Sequence, residues 1–213
     1  MPSPGQIARK ILGPYFKPVG DAYRRVFVNL ERIVDVLAEA APKGANVLDI
    51  GGGDGALIDR LLDRRPDLTI TMCDIAPTVG AFLSKANRGR VRQLPATDFA
   101  DVHAKFDFVM ITDVMHHVPV DQRDSFFEAL ARSCREWGCE TLFFKDVEPG
   151  HLRSVLSLLA DWYITGDRHV VLFPRSQFAE MAVRYFPDRK RVSAMPDAPN
   201  YCEVLSLTPA RTA

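Results

Sequence analysis

Apolar residues in this chain cluster with two different periods. The segments Val47 to Ile50, Asp67 to Cys73, Arg90 to Leu94, Phe106 to Thr112 and Glu140 to Val147 carry short apolar runs bounded by glycine or polar residues. Runs of that length and kind read as strands, with the fourth the most hydrophobic of the set. Between them the apolar positions recur at helical spacing. Phe27, Leu30, Ile33, Val34 and Leu37 form one stripe within a helical stretch from Ile7 to Ala41 that is broken at Gly13-Pro14 and Pro18. Ala56 to Leu62 forms a second stripe, and Asp121 to Arg135 a third, with Phe126, Phe127, Leu130 and Ala131 on one face. Helical patterning resumes over Leu152 to Trp162 and again from Arg175. Strands alternating with helices predict an α/β fold with a mostly parallel sheet and helices on both faces. The final two runs, Arg189 to Met195 and Tyr201 to Leu207, flank the short segment Asp197-Ala198-Pro199-Asn200 and so predict an antiparallel closing pair.

The first strand ends in Asp49-Ile50-Gly51-Gly52-Gly53-Asp54-Gly55. Glycines in a strand-to-helix turn remove the Cβ atoms that would keep a ligand away, and the helix that follows presents free N–H groups. A nucleotide-sized ligand fits such a turn. Gly51, Gly53 and Ala56 also satisfy the fingerprint of nicotinamide-binding folds, so spacing alone leaves that alternative open. The acidic Asp49 narrows it, because a carboxylate beside the loop favours a cation and opposes a diphosphate.

The alternation Asp49-x-Gly51-x-Gly53-x-Gly55 resembles the first motif of the class I S-adenosylmethionine (SAM) dependent methyltransferases. That resemblance implies a Rossmann-like fold with a seven-stranded, mostly parallel sheet, an antiparallel C-terminal strand and helices on both faces. It also implies SAM as cofactor, with Asp49, Gly51, Gly53 and Gly55 in its site. Asp74, at the end of the second strand and about 20 residues beyond the loop, is placed to accept from both ribose hydroxyls, with Ile75 covering one face of the adenine. Asp98 can accept from the exocyclic amine while Phe99 supplies apolar contact, or Asp98 can simply cap its turn.

After the fourth strand, Asp113-Val114-Met115-His116-His117-Val118-Pro119 resembles a run common in these enzymes, at the strand end that faces the transferable methyl. Asp113 is accordingly assigned to the cofactor site. Gly51-Gly52-Gly53, Asp74-Ile75-Ala76-Pro77 and the position of His116 are similar to small-molecule O-methyltransferases related to the plant phenol enzymes, whose catalytic histidine falls at a comparable point. That family continues with His-Asp-Trp where this chain has His116-His117-Val118. A hydroxyl acceptor benefits from a general base, and imidazole suits neutral pH. His116 is the first candidate, His117 and His151 the others, and a histidine packed under the loop the alternative to all three. The motif Asn/Asp-Pro-Pro-Tyr/Phe of amino-methylating DNA and glutamine enzymes is missing here, which leaves oxygen ahead of nitrogen or carbon as the atom methylated.

The 213 residues suit a single domain spanning 1–213, and a domain of that size buries roughly 70% of its unfolded surface. The 27 basic residues equal the 27 acidic ones and the pI is about 7.0, so no basic field favours nucleic acid. A small-molecule substrate is the expected partner, with a homodimer kept open. No leader-like or membrane-spanning run is visible, and a cytoplasmic location is expected. Cys73, Cys134, Cys139 and Cys202 lack metal-ligand spacing and read as reduced thiols, so no metal is expected. Residues 1–41 are read as a packing helix or as a lid using Tyr15, Phe16, Lys17, Tyr23 and Arg24. Residues 149–174 are expected to build the acceptor pocket, with Leu158, Trp162, Tyr163, His169 and Phe173 as candidate walls. The functions weighed are methyl transfer, a non-catalytic SAM-binding subunit, a nicotinamide-dependent oxidoreductase and a nucleic-acid methyltransferase, the last opposed by the balanced charge.

Overall fold

The computed structural model describes residues 30–152, 154, 155, 170–195 and 199–208. The aromatic and basic residues expected in a lid lie outside the described residues. So do Leu158, Trp162, Tyr163, His169, Asp197 and Ala198. Seven strands form one sheet: β1 (Asn46–Ile50), β2 (Thr69–Cys73), β3 (Val91–Leu94), β4 (Phe108–Thr112), β5 (Thr141–Val147), β6 (Arg189–Met195) and β7 (Asn200–Leu207). Their spatial order is β3-β2-β1-β4-β5-β7-β6, parallel except for β7, which runs antiparallel to both β5 and β6. The expected sheet and its closing antiparallel pair are both present. Helices α1 (Leu30–Ala40), α2 (Ala56–Arg64), α3 (Lys85–Arg88), α4 (Arg123–Trp137) and α5 (Arg175–Tyr185) connect or flank the strands.

Strand alternation divides the core into two layers. Val47, Ile70, Met72, Phe108, Met110 and Phe143 pack with Ile33 and Leu37 of α1 and Ile58 and Leu61 of α2. Leu48, Ile50, Val109, Ile111, Leu142 and Phe144 face the other way, onto Phe127 and Leu130 of α4 and Phe178 of α5. Of the expected α1 stripe, Leu30, Ile33, Val34 and Leu37 are buried, and Phe27 lies outside the described residues. Phe127 and Phe144 stack at 5.6 Å with rings 5° apart, which joins α4 to the middle of the sheet. The outer strand β6 carries Arg189, Lys190 and Arg191 and is mostly exposed, a charged edge that discourages pairing with another chain.

Strand order reverses between β1 and β4, whose C-terminal ends both open where connections depart in opposite directions. Sheets of this kind bind ligands at such a crevice. The glycine turn after β1 and the double-histidine loop after β4 therefore meet there.

Candidate active site

Gly51, Gly53 and Gly55 have φ of 72°, 52° and 79°, left-handed values that cost a side chain free energy. Gly51 has a second requirement. A Cβ there would lie 2.4 Å from Val114 Cγ2, so the β1 turn and the β4 loop touch through a site only glycine fills. Gly51 and Gly52 both donate to the Cys73 carbonyl at 2.9 and 3.2 Å, tying the turn to the end of β2. Asp74 completes the tie: its Oδ2 accepts from Gly53 N at 3.0 Å and its Oδ1 from Ala76 N at 2.8 Å. Ile75, beside it, is 81% exposed, an apolar surface with no core to cover it.

Asp49 sits beneath this turn, 2% exposed, and its Oδ1 has no hydrogen-bond partner. Burial first, and then the charge of Asp74, push its carboxyl up to about 7. An orphaned buried carboxylate under a turn stripped of side chains fits a ligand that carries positive charge and offers donors, and SAM is both. Asp98 lies near enough that, after burial, Asp49, Asp74 and Asp98 together push the Cys73 thiol up to about 12. Of the two readings of Asp98, the cap is the one with a hydrogen bond: it accepts from Ala100 N at 2.9 Å at the head of the Phe99–Asp101 turn. Phe99, expected as an adenine contact, is mostly buried, edge-on to Phe126 at 5.1 Å and to Trp137 at 6.4 Å.

The loop after β4 turns back on itself through His117 N to Val114 O and Val118 N to Met115 O. That coil buries His116, whose Nδ1 lies 2.7 Å from Asp146 Oδ1 at the end of β5. The same oxygen accepts from Val147 N at 2.8 Å, which fixes the carboxylate, while Asp146 Oδ2 is buried without a partner. His117 is exposed, its ring 4.2 Å from that of His116, and His151 is exposed in the turn after β5. The structure thus separates the three candidate histidines: one buried with a carboxylate, two on the surface. Asp113, at φ 57°, receives Lys145 Nζ on both oxygens at 2.5 and 2.7 Å. Burial pushes the Asp113 carboxyl up, but the Lys145 ammonium, then His116, outweigh it and hold the group below the usual carboxylate range.

Asp146, Lys145 and Arg123 are the site residues to which pattern reading assigned no role. Two charged residues closing an otherwise apolar strand were the available signal for the first two. Arg123 carried none: it begins a helix like any surface arginine, yet it is 1% exposed. It donates to Val118 O, to Gln177 Oε1 and to Val171 O, and its guanidinium lies 5.0 Å from the centre of the Phe173 ring. Val171 N in turn donates to His116 O at 3.0 Å, so residues 170–173 are pinned to the histidine loop. Phe173, expected as a pocket wall, is fully buried, with the Arg123 guanidinium and the Phe127 ring packed near it.

A seven-stranded sheet of this order, with a glycine turn after β1 and an acid after β2, defines the class I methyltransferase fold. Comparison with known proteins agrees. Residues 47–138 match the family described as a methyltransferase domain. It is 39% identical over 74 residues to a malonyl-[acyl-carrier protein] O-methyltransferase of Geobacter sulfurreducens, a match covering 34% of this chain and 27% of that protein. It is 32% identical over 111 residues to the enzyme of that description from Acetivibrio thermocellus, covering 49% and 39%. The chain thus spans well under half the length of these relatives. Among solved structures, an O-methyltransferase family protein from Burkholderia thailandensis superposes with a TM-score of 0.63 at 20% identity, over 88% of this chain and 59% of that one. Magnesium protoporphyrin IX methyltransferase from Synechocystis, with S-adenosylhomocysteine bound, gives 0.61 at 14% identity over 94% and 100%. No helix among the described residues is long and apolar enough to cross a membrane.

Proposed function

We propose that this protein transfers the methyl group of SAM to an oxygen of a small-molecule acceptor, with His116 taking the acceptor's proton. The observation that carries the base assignment is the buried His116 Nδ1 to Asp146 Oδ1 contact of 2.7 Å at the strand end beside the glycine turn. A carboxylate that accepts from Nδ1–H leaves Nε2 as the basic nitrogen and holds the ring in one orientation.

The cofactor supplies an electrophilic methyl on a sulfonium, and displacement forms the O–CH3 bond as the S–CH3 bond breaks. The protein's part is to hold and to screen. Gly51 to Gly55 let backbone approach, Asp74 is the acceptor for ribose hydroxyls, and Asp49 supplies negative charge beneath the turn. Asp98 and Ile75 bound the adenine side, and Asp113 fixes the rim next to His116. Imidazole Nε2 receives the hydroxyl proton as the acceptor oxygen becomes nucleophilic. Oxygen as the acceptor atom is supported by the two O-methyltransferase relatives, whose described acceptor is malonyl on an acyl carrier protein.

The test is transfer of labelled methyl from SAM to panels of phenols, alcohols and carboxylic acids, with wild type and His116→Ala. A hydroxyl acceptor predicts a fall in kcat of about 10²- to 10⁴-fold for the variant, with cofactor affinity unchanged. Unchanged turnover removes His116 as base and favours a carboxylate acceptor, which arrives already ionised. Cofactor binding with no transfer to any acceptor would leave a non-catalytic SAM-binding subunit.

A further inference from the structure

Asp113, His116 and Asp146 each offer one donor atom, and the three atoms all lie within 4.8 Å of one another. That is the spacing of a divalent-cation site with mixed oxygen and nitrogen donors. Two further observations bear on what fills it. Asp146 Oδ2, on a residue 2% exposed, has no hydrogen-bond partner. Both oxygens of Asp113 are held by a single ammonium, Lys145 Nζ, itself on a residue 2% exposed.

The geometry of β5 explains how one strand serves both sides of the cluster. Successive residues point to opposite faces, so Asp146 shares the face of Phe144 and the paired Tyr201, while Lys145 shares that of Phe143 and the paired Cys202. Asp113 stands past the end of β4, between the two. It is gripped twice by Lys145, through the ion pair and through its own N–H, which donates to the Lys145 carbonyl at 2.9 Å. That double grip holds Asp113 at φ 57°. Two carboxylates this close repel each other unless a cation or a proton lies with them. An ammonium in contact with both oxygens of one of them also repels a second cation brought to the same oxygens, although the Asp113 side chain is 42% exposed and water screens part of that repulsion.

We propose that Lys145 is the resident cation of this cluster: its ammonium takes the place on Asp113 that a divalent ion would occupy, and removing it turns Asp113, His116 and Asp146 into a metal site. Methyl transfer by the unaltered protein then needs no divalent ion, since the charge that orders the acceptor side is covalently attached to β5. This stands apart from the assignment of His116 as base, because its readout is metal binding.

The experiment measures Mn2+ binding by titration calorimetry and by electron paramagnetic resonance on the full chain: wild type, Lys145→Met and Lys145→Gln. Wild type is expected to bind Mn2+ no more tightly than about 1 mM, and a folded Lys145 variant at least about 100-fold more tightly, within the range typical of carboxylate sites. Adding Asp113→Asn to the variant should abolish the gain, and Mn2+ should raise the melting temperature of the Lys145 variants but not of wild type. Micromolar binding by wild type, or a folded variant with no gain over it, overturns the proposal. If neither variant folds, the wild-type titration decides: micromolar binding overturns it and absence of binding to about 1 mM supports it.

Discussion

Asp49 makes stability depend on pH in the direction opposite to that of an ion-paired or hydrogen-bonded aspartate. Its carboxyl is raised from the ordinary 3.8 to about 7, chiefly by burial and then by Asp74. Between those two values the folded chain holds a proton that the unfolded chain has released. Stability therefore falls as pH rises through this window and is level above it. At about 1.4 kcal/mol per pH unit, the interval from 3.8 to about 7 corresponds to a loss of about 4 kcal/mol. In a chain of this size that is about 10 °C in melting temperature. Asp49→Asn removes the titrating group without changing its shape, so the variant should lack this slope, and the difference between the two proteins isolates Asp49 from every other titrating residue. Melting curves of wild type and Asp49→Asn without ligand, taken across that interval and one unit beyond each end, provide the measurement. A cationic ligand favours the ionised carboxylate, so S-adenosylmethionine should bind wild type more tightly as pH rises to about 7 and release protons below it. Parallel pH dependences for wild type and variant would refute the reasoning, because they would mean that Asp49 is ionised throughout.

Three further outcomes follow from distances at the site. Asp74→Ala should weaken S-adenosylhomocysteine by about 10- to 100-fold in calorimetry, the worth of two hydroxyl hydrogen bonds, while the protein stays folded; unchanged affinity would remove Asp74 from the site. Gly51→Ala should cost about 1–3 kcal/mol in denaturant unfolding, from its φ of 72° and the 2.4 Å approach to Val114 Cγ2. Adding Val114→Ala should recover the part due to the clash and leave the part due to φ. Arg123→Met should cost about 3 kcal/mol by leaving the Val118 and Val171 carbonyls and Gln177 without their donor, and should expose residues 170–173 to protease. Loss of stability without faster cleavage there would mean that Arg123 acts on α4 alone.

Period and punctuation were enough to read much of this molecule. Val47 to Ile50, the β4 run and the α1 stripe each carry their structure in local spacing, since burial on one or both faces imposes a repeat on the sequence itself. Glycines at φ above zero and an acid at each strand end are likewise local requirements, so Asp49, Gly51, Gly53, Gly55 and Asp74 were readable before any packing was known. The surroundings of Phe99 and Phe173 were not. An aromatic residue beside a polar one looks alike whatever packs on it, and only the fold brings Trp137 and Phe126 to the one and Arg123 to the other. The same holds for the three histidines, which pattern alone ranks but does not separate.

The sequence by itself determined the strand and helix order, the glycine turn and the carboxylates around it, because those depend on contacts within a few residues. Only the tertiary structure decided that Asp146 meets His116, that Lys145 crosses the end of the sheet to Asp113, and that Arg123 is buried. Each of those pairs joins segments at least 30 residues apart or depends on what is packed above it. Register between parallel strands, and not any local preference, brings such residues within hydrogen-bond reach.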